Sequence, residues 1–206
     1  MPKISSLANE ITIDSKLLES DLLNGWLHTN SIRPFRKLEE SFLSIHGIEK
    51  DYLKIADYQN ITPIIAFYYV ALFKTVKELL SSFKSSNPTW IKRPRDESDK
   101  ITLVDSDVNA TFFKYVNQMI SAVDDIREMN MSSQTVISLA SSEELPLTDS
   151  TIDVVIASPP YCTRIDYAIA TILELSILGY SDPKNLKKLR SKMIGTPTVN
   201  RDIDKP

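Results

Sequence analysis

Four consecutive residues, Ser158-Pro159-Pro160-Tyr161, combine side chains and backbone groups that suit recognition of an aromatic amine. A residue before proline is pushed towards extended geometry, so Ser158 continues the chain that leads into it. Pro159 and Pro160 each have a fixed φ and no N–H, which makes the tip stiff and leaves its carbonyls without a local donor. The Ser158 hydroxyl and the Pro159 carbonyl can then face one point and accept two hydrogen bonds there. An exocyclic amino group offers two N–H donors, and the Tyr161 ring can lie over a flat ligand. On residue type alone a second reading stays open: a Pro-Pro turn that closes a strand, with Tyr161 in the core.

Cys162 follows at once and is the single cysteine of the chain. A nucleophilic thiolate needs a cationic neighbour to lower its pKa, and no histidine is placed to serve. Cys162 therefore reads as a packed thiol near a pocket wall. One cysteine rules out an internal disulfide and fits a reducing cytoplasm. His28 and His46 stand alone and make no metal site by spacing.

The elements that must position the tip are legible from periodicity. Beyond Asp153, Ile152–Ala157 is apolar on both faces and predicts a buried strand, and Gln134–Ala140 predicts a second, shorter one. Ile65, Tyr69, Leu72, Val76, Leu79 and Phe83 recur at helical spacing over Thr62–Phe83, with Thr62 as cap and Pro63 at the first helical position. Phe112, Val116, Met119, Ile120, Val123 and Ile126 form the stripe of a helix over Thr111–Met129, with Asp105 and Asp107 at or before its start. Helices are expected over Ser15–Leu27 and Pro34–Ile45, with Trp26, Leu27, Ile32, Phe35, Leu38, Phe42 and Ile45 in the core. Helical spacing resumes from Arg164 to Gly179, and a short basic helix follows Asp182-Pro183. Residues 84–100 read as a loop. The second half thus runs helix, strand, loop, strand, tip, helix, the order of an α/β sheet, in which ligands sit beyond the carboxyl ends of the strands.

The chain has 206 residues, 42% of them hydrophobic, and a net charge of −3. That balance excludes a strongly basic nucleic-acid binder and leaves room for local basic patches. One candidate is Lys184, Lys187, Lys188, Arg190 and Lys192, with Leu186, Leu189 and Met193 on the opposite face. Another is the Thr89–Arg95 loop, which mixes Trp90 with Lys92, Arg93 and Arg95. The longest apolar run, Ile64–Phe73, has ten residues and is too short to span a bilayer. The N-terminus lacks the apolar run of a signal peptide. Only four glycines occur, Gly25, Gly47, Gly179 and Gly195, and none lies near another. No glycine-rich nucleotide loop can be written on such a pattern.

The stretch LPLTDSTIDVVIASPPYCTRIDYAIATILEL, Leu145–Leu175, resembles the amino-methyltransferases that act on DNA. Their shared motif is Asp, Asn or Ser, then Pro-Pro, then an aromatic residue. The serine form is typical of enzymes that methylate the N4 amino group of cytosine. The segment Ser86–Pro94 is similar to one found upstream in some members. The resemblance implies a Rossmann-like α/β fold that uses S-adenosylmethionine, here partial and preceded by a helical half: 1–100 helical, 101–206 carrying the catalytic motif. It implies a base flipped from double-stranded DNA, with Ser158, Pro159, Pro160 and Tyr161 around its amino group. By spacing from Leu145-Pro146 the family's acidic cofactor contact falls at Ser141, beside Glu143 and Glu144. Trp90, Lys92, Arg93, Arg164, Lys187, Lys188 and Arg190 become candidate DNA contacts. The family's glycine loop for the cofactor has no counterpart here, so the resemblance points to a single incomplete domain: a truncated gene product, a split subunit whose second chain supplies that loop, or a fragment. Adenine N6, RNA or a non-catalytic binding role are the alternatives.

Overall fold

The computed structural model describes residues 2–48, 61–85, 91–128, 135–138, 140, 143–158, 165–180 and 183–191. Eight α-helices occur among them: α1 (Pro2–Glu10), α2 (Ser15–Glu19), α3 (Thr29–Ile45), α4 (Pro63–Leu79), α5 (Asp105–Glu128), α6 (Tyr167–Ala170), α7 (Ile172–Ile177) and α8 (Pro183–Ser191). The core lies where α3, α4 and α5 pack on one another, with α1 and α2 against α3 and α7 against α4. Trp26, Phe35, Phe42 and Phe112 are its largest fully buried side chains. Burial of a side chain of this size contributes about 1.5–3 kcal/mol, so these four anchor the bundle.

Each long helix follows from its stripe. α4 buries Ile65, Tyr69, Leu72 and Val76. Pro63 occupies its first turn, where a missing N–H costs nothing; Thr62 is extended at the cap position, but its side chain makes no capping bond. α5 begins at Asp105, about two turns before Phe112, because Asp107 accepts the Val104 amide and closes the first turn. α3 also begins early, at Thr29, and runs through Pro34. A proline that near the start forfeits a single amide bond, and Pro34 is itself buried in the packed face. α3 ends at Gly47, whose φ of +67° lets Ile48 N donate to Leu43 O at 3.0 Å. Ile45, expected in the core, is exposed at that end. α1 was not foreseen; Ile4 and Ala8 bury its inner face.

The expected α/β, Rossmann-like fold is not what the chain adopts. Among the described residues there is no strand; isolated bridges join Leu27 with Ile101 and Lys84 with Ile91. Residues 152–157 form no ladder, and Val155 and Ile156 are 79% and 96% exposed. Residues 135–138 likewise form no strand, and Ile137 is 93% exposed. Both segments have the side chains of a buried strand. A strand is held by hydrogen bonds to a neighbour, and no described residue offers one. The expected helix from Arg164 to Gly179 also divides. At Thr171 the hydroxyl donates to Tyr167 O four residues back at 2.8 Å, a back-bond that bends helices, and α7 restarts after it.

An exposed contact between α4 and α5 sets a pH dependence. Lys114 and the Tyr115 hydroxyl both hydrogen-bond the Glu78 carboxylate. The bond from Lys114, then that from Tyr115, holds the carboxyl below its ordinary value of 4.5. The bond to Glu78, then burial, pushes the Tyr115 phenol above its ordinary 10.0. A depressed acid stabilises the fold above its unfolded pKa, and that contribution disappears as pH falls through the folded one. A raised phenol contributes below its unfolded pKa and loses this as pH rises through the folded one. Thermal melts of Glu78→Gln should therefore differ from wild type least below pH ~4, and Tyr115→Phe should remove the alkaline limb above pH ~10. Equal shifts at all pH values would mean that neither group is coupled to folding.

Candidate functional site

The tip begins where the described chain leaves the bundle. Residues 143–158 start with a compact turn: Leu147 N donates to Leu145 O at 2.8 Å, and Thr151 Oγ1 donates to Thr148 O at 2.7 Å. Ser150 sits at φ +60°, the left-handed region, which lets the chain reverse there. The chain then runs without regular structure to Ser158, which is exposed. Pro159, Pro160, Tyr161, Cys162 and Arg164 lie outside the described residues. So do Ser141, Trp90 and Lys192.

Beyond the tip the chain is anchored firmly. Asp166 caps α6, its Oδ1 accepting Ile169 N at 3.2 Å. Its Oδ2 accepts Arg190 Nε at 2.7 Å and pairs with Arg190 Nη2 at 2.6 Å. The sequence reading missed this clamp. Its one signal was an aspartate just before the helical spacing resumes, a cap position. Arg190 thus fastens α8 to the first helix after the tip, and Leu186 packs that helix on the core. Lys187 and Lys188 are exposed on α8. Arg190→Ala should lower stability by about 0.5–1 kcal/mol, since the pair is partly exposed, while Lys187→Ala and Lys188→Ala stay within about 0.5 kcal/mol. Urea melts of the three variants check this; equal costs would deny the clamp.

Lys92 and Arg93 belong to a different region. Trp26 Nε1 donates to Lys92 O at 2.7 Å, and Lys92 N donates to Phe83 O at 2.8 Å. The Arg93 guanidinium stacks 5.0 Å from the centre of the Trp26 ring. It lies so close to Gly25 that a Cβ there would sit 3.4 Å from Nη1. The ring and the glycine together hold the cation flat at the surface, where Lys92 and Arg93 both remain exposed.

α7 is tied to the bundle by a buried charge cluster. Arg36 Nε donates to Asp21 Oδ2 and Nη1 to Glu39 Oε2, both at 2.7 Å. The same guanidinium donates to Ile177 O at 2.8 Å and Ser176 O at 2.7 Å, the last carbonyls of α7. Tyr69 Oη completes the set by donating to Glu39 Oε1 at 2.9 Å. Burial alone would lower the pKa of Arg36; the charges of Asp21 and Glu39 outweigh it and raise the value. The guanidinium stays charged and plugs the negative end of α7.

Gly25 is occupied by Arg93, and Gly47 is a helix stop with open space around it. No three His, Cys, Asp or Glu side chains gather as metal ligands among those residues. No helix there is long and apolar enough to cross a membrane.

Over 93 residues the chain is 34% identical to the Type II methyltransferase M.BsoBI of Geobacillus stearothermophilus. Part of this chain is similar to a Type II methyltransferase. The match takes in 42% of this chain and 18% of M.BsoBI, so the chain spans less than a fifth of that relative. No family model matches the chain, and no solved structure matches it.

Proposed function

We propose that this chain carries the substrate half of a DNA amino-methyltransferase specific for the N4 position of cytosine. The observation that supports this most is the Ser158-Pro159-Pro160-Tyr161 motif in a chain similar to M.BsoBI. Ser158 stands exposed at the end of its segment, open to a ligand as large as a flipped base. In this reading the Ser158 hydroxyl and the Pro159 carbonyl accept the two amino hydrogens, so the nitrogen lone pair is no longer shared with the ring. Pro160 keeps the tip rigid and Tyr161 stacks on the base. S-adenosylmethionine would supply the methyl group, and the two acceptors would hold the amino nitrogen turned towards it. Orientation is the protein's main contribution to such a reaction. Lys187, Lys188, Lys92, Arg93, Arg164 and Trp90 are the groups through which this chain would meet the DNA backbone. Ser141 is the one residue that spacing names for the donor site.

The test is transfer of labelled methyl from S-adenosylmethionine to mixed-sequence duplex DNA, followed by base analysis. N4-methylcytosine is the expected product. N6-methyladenine would move the reading to the adenine class, and label on RNA alone would change the substrate. Cys162→Ser is expected to retain activity within about twofold, since the direct transfer needs no covalent intermediate. A covalent adduct with DNA that this variant abolishes would return the chemistry to carbon 5.

A further inference from the structure

The loop from Lys92 to Ile101 is pinned at both ends by one residue. Trp26 Nε1 donates to Lys92 O at 2.7 Å, and Ile101 N donates to Trp26 O at 3.0 Å. Each end carries a second bond, Lys92 N to Phe83 O at 2.8 Å and His28 N to Ile101 O at 3.2 Å. In between, Asp96 caps the 3-10 turn Glu97–Asp99 by accepting Ser98 N, and Asp99 Oδ2 accepts Arg95 N. Trp26 is buried, so the anchor belongs to the core. A loop closed in this way loses little further freedom when a ligand arrives.

The charges of this loop are sorted. Its acids are engaged within it: Asp96 and Asp99 with backbone amides, and Glu97 with Lys100 at 2.7 Å. Lys92, Arg93 and Arg95 are exposed and meet no carboxylate side chain among the described residues. Arg93 differs from the other two, because it stacks 5.0 Å from the centre of the Trp26 ring with Gly25 beside it. All the N–H donors of a guanidinium lie in its plane. Stacking therefore occupies a face and leaves the donors open along the edge, held in one orientation. Gly25 ends the 3-10 turn Leu22–Gly25, which packs against α7, the second helix after Ser158. A single short turn thus lies between Arg93 and the chain that follows the tip.

We propose that Arg93, held flat on Trp26, is a preorganised phosphate site that takes two oxygens of one DNA phosphodiester, with Lys92 and Arg95 on the neighbouring phosphates. The inference rests on the proposed function for its partner and adds which contact fixes the register of the duplex. The two non-ester oxygens of a phosphodiester match the guanidinium fork. Phosphates repeat along a strand, and so they also answer three cations within four residues. A carboxylate on a partner protein matches the fork equally well but brings one charge, which leaves Lys92 and Arg95 unanswered. Contacts of this kind position a protein on DNA and carry no sequence information themselves.

The experiment is a fluorescence-anisotropy titration of a labelled mixed-sequence duplex with the full chain, repeated over a range of salt concentrations. Arg93→Met keeps an apolar side chain over the Trp26 ring and removes the donors. It should weaken binding about tenfold and lower the slope of log affinity against log salt by about 0.9, the loss of one phosphate contact, with an unchanged melting temperature. Arg93→Lys should keep the slope and still bind several-fold more weakly, because an ammonium has the charge without the fork. Lys16→Met, which removes an exposed cation on α2, should stay within about twofold of wild type. The proposal is overturned if wild type binds no duplex, if Arg93→Met keeps both affinity and slope, or if its loss is matched by a fall in melting temperature. Full recovery in Arg93→Lys also overturns it, as does displacement of the duplex by polyglutamate at the same charge concentration, or binding of single-stranded RNA alone. The two readings fail separately. Duplex binding through Arg93 without methyl transfer would remove the proposed function and keep the phosphate site. N4-methylcytosine formed by Arg93→Met at wild-type affinity would do the reverse.

Discussion

Under the proposed function, Ser158→Ala should lower the rate of methyl transfer by roughly a hundredfold, with little change in the amount of DNA bound. In the proposed function the hydroxyl is one of two acceptors for the amino group, and loss of a single positioned hydrogen-bonding group at a reacting centre typically costs this much. Its effect falls on the rate because the bond matters most as the nitrogen becomes tetrahedral, when its hydrogens leave the plane of the ring. Stability should not move, since Ser158 is exposed and its hydroxyl bonds no described residue. The measurement is single-turnover methyl transfer with DNA in excess. A loss confined to DNA affinity would show that Ser158 binds the backbone rather than the amine. A loss matched by a fall in melting temperature would make it a structural residue.

Arg36→Met destabilises the fold by about 3–5 kcal/mol, the cost of breaking a buried ion cluster by removal of one partner. The substitution keeps much of the side-chain volume but leaves Asp21 and Glu39 buried with no cation between them. It also strips two carbonyls at the end of α7 of their donor. Arg36→Lys should recover only part of the loss, because one ammonium cannot fork to two carboxylates and two carbonyls. A triple change, Arg36→Met with Asp21→Asn and Glu39→Gln, should cost less than Arg36→Met alone, since the stranded charges are gone. Urea titrations of the set measure this. A cost under about 1 kcal/mol for Arg36→Met would mean that water reaches the cluster.

This cluster shows where local sequence stops being informative. Arg36 and Glu39 stand three apart on α3 and could be paired from sequence, but nothing announces that Asp21, Tyr69 and the last carbonyls of α7 join them, because that depends on how the elements cross. Trp26 is similar: its apolar bulk marked it for the core, but the Lys92 carbonyl on its Nε1 and Arg93 on its ring come from more than sixty residues away. The Asp166–Arg190 clamp could have been half seen. The cap aspartate is local, whereas its arginine partner is not.

What the sequence determined was local and periodic. The buried faces of α3, α4 and the first half of α5 follow from a 3.6-residue repeat, since a helix makes its own hydrogen bonds and needs neighbours only for its apolar side. The motif at Ser158 is legible in the sequence, and Pro159, Pro160 and Tyr161 lie outside the described residues. The two strands were legible only as side-chain patterns. A strand's hydrogen bonds belong to its neighbour, so apolar alternation in 135–138 and 152–157 could suggest a sheet but could not supply one. Only the tertiary structure decided that this chain folds as a helical bundle and leaves those segments unpaired.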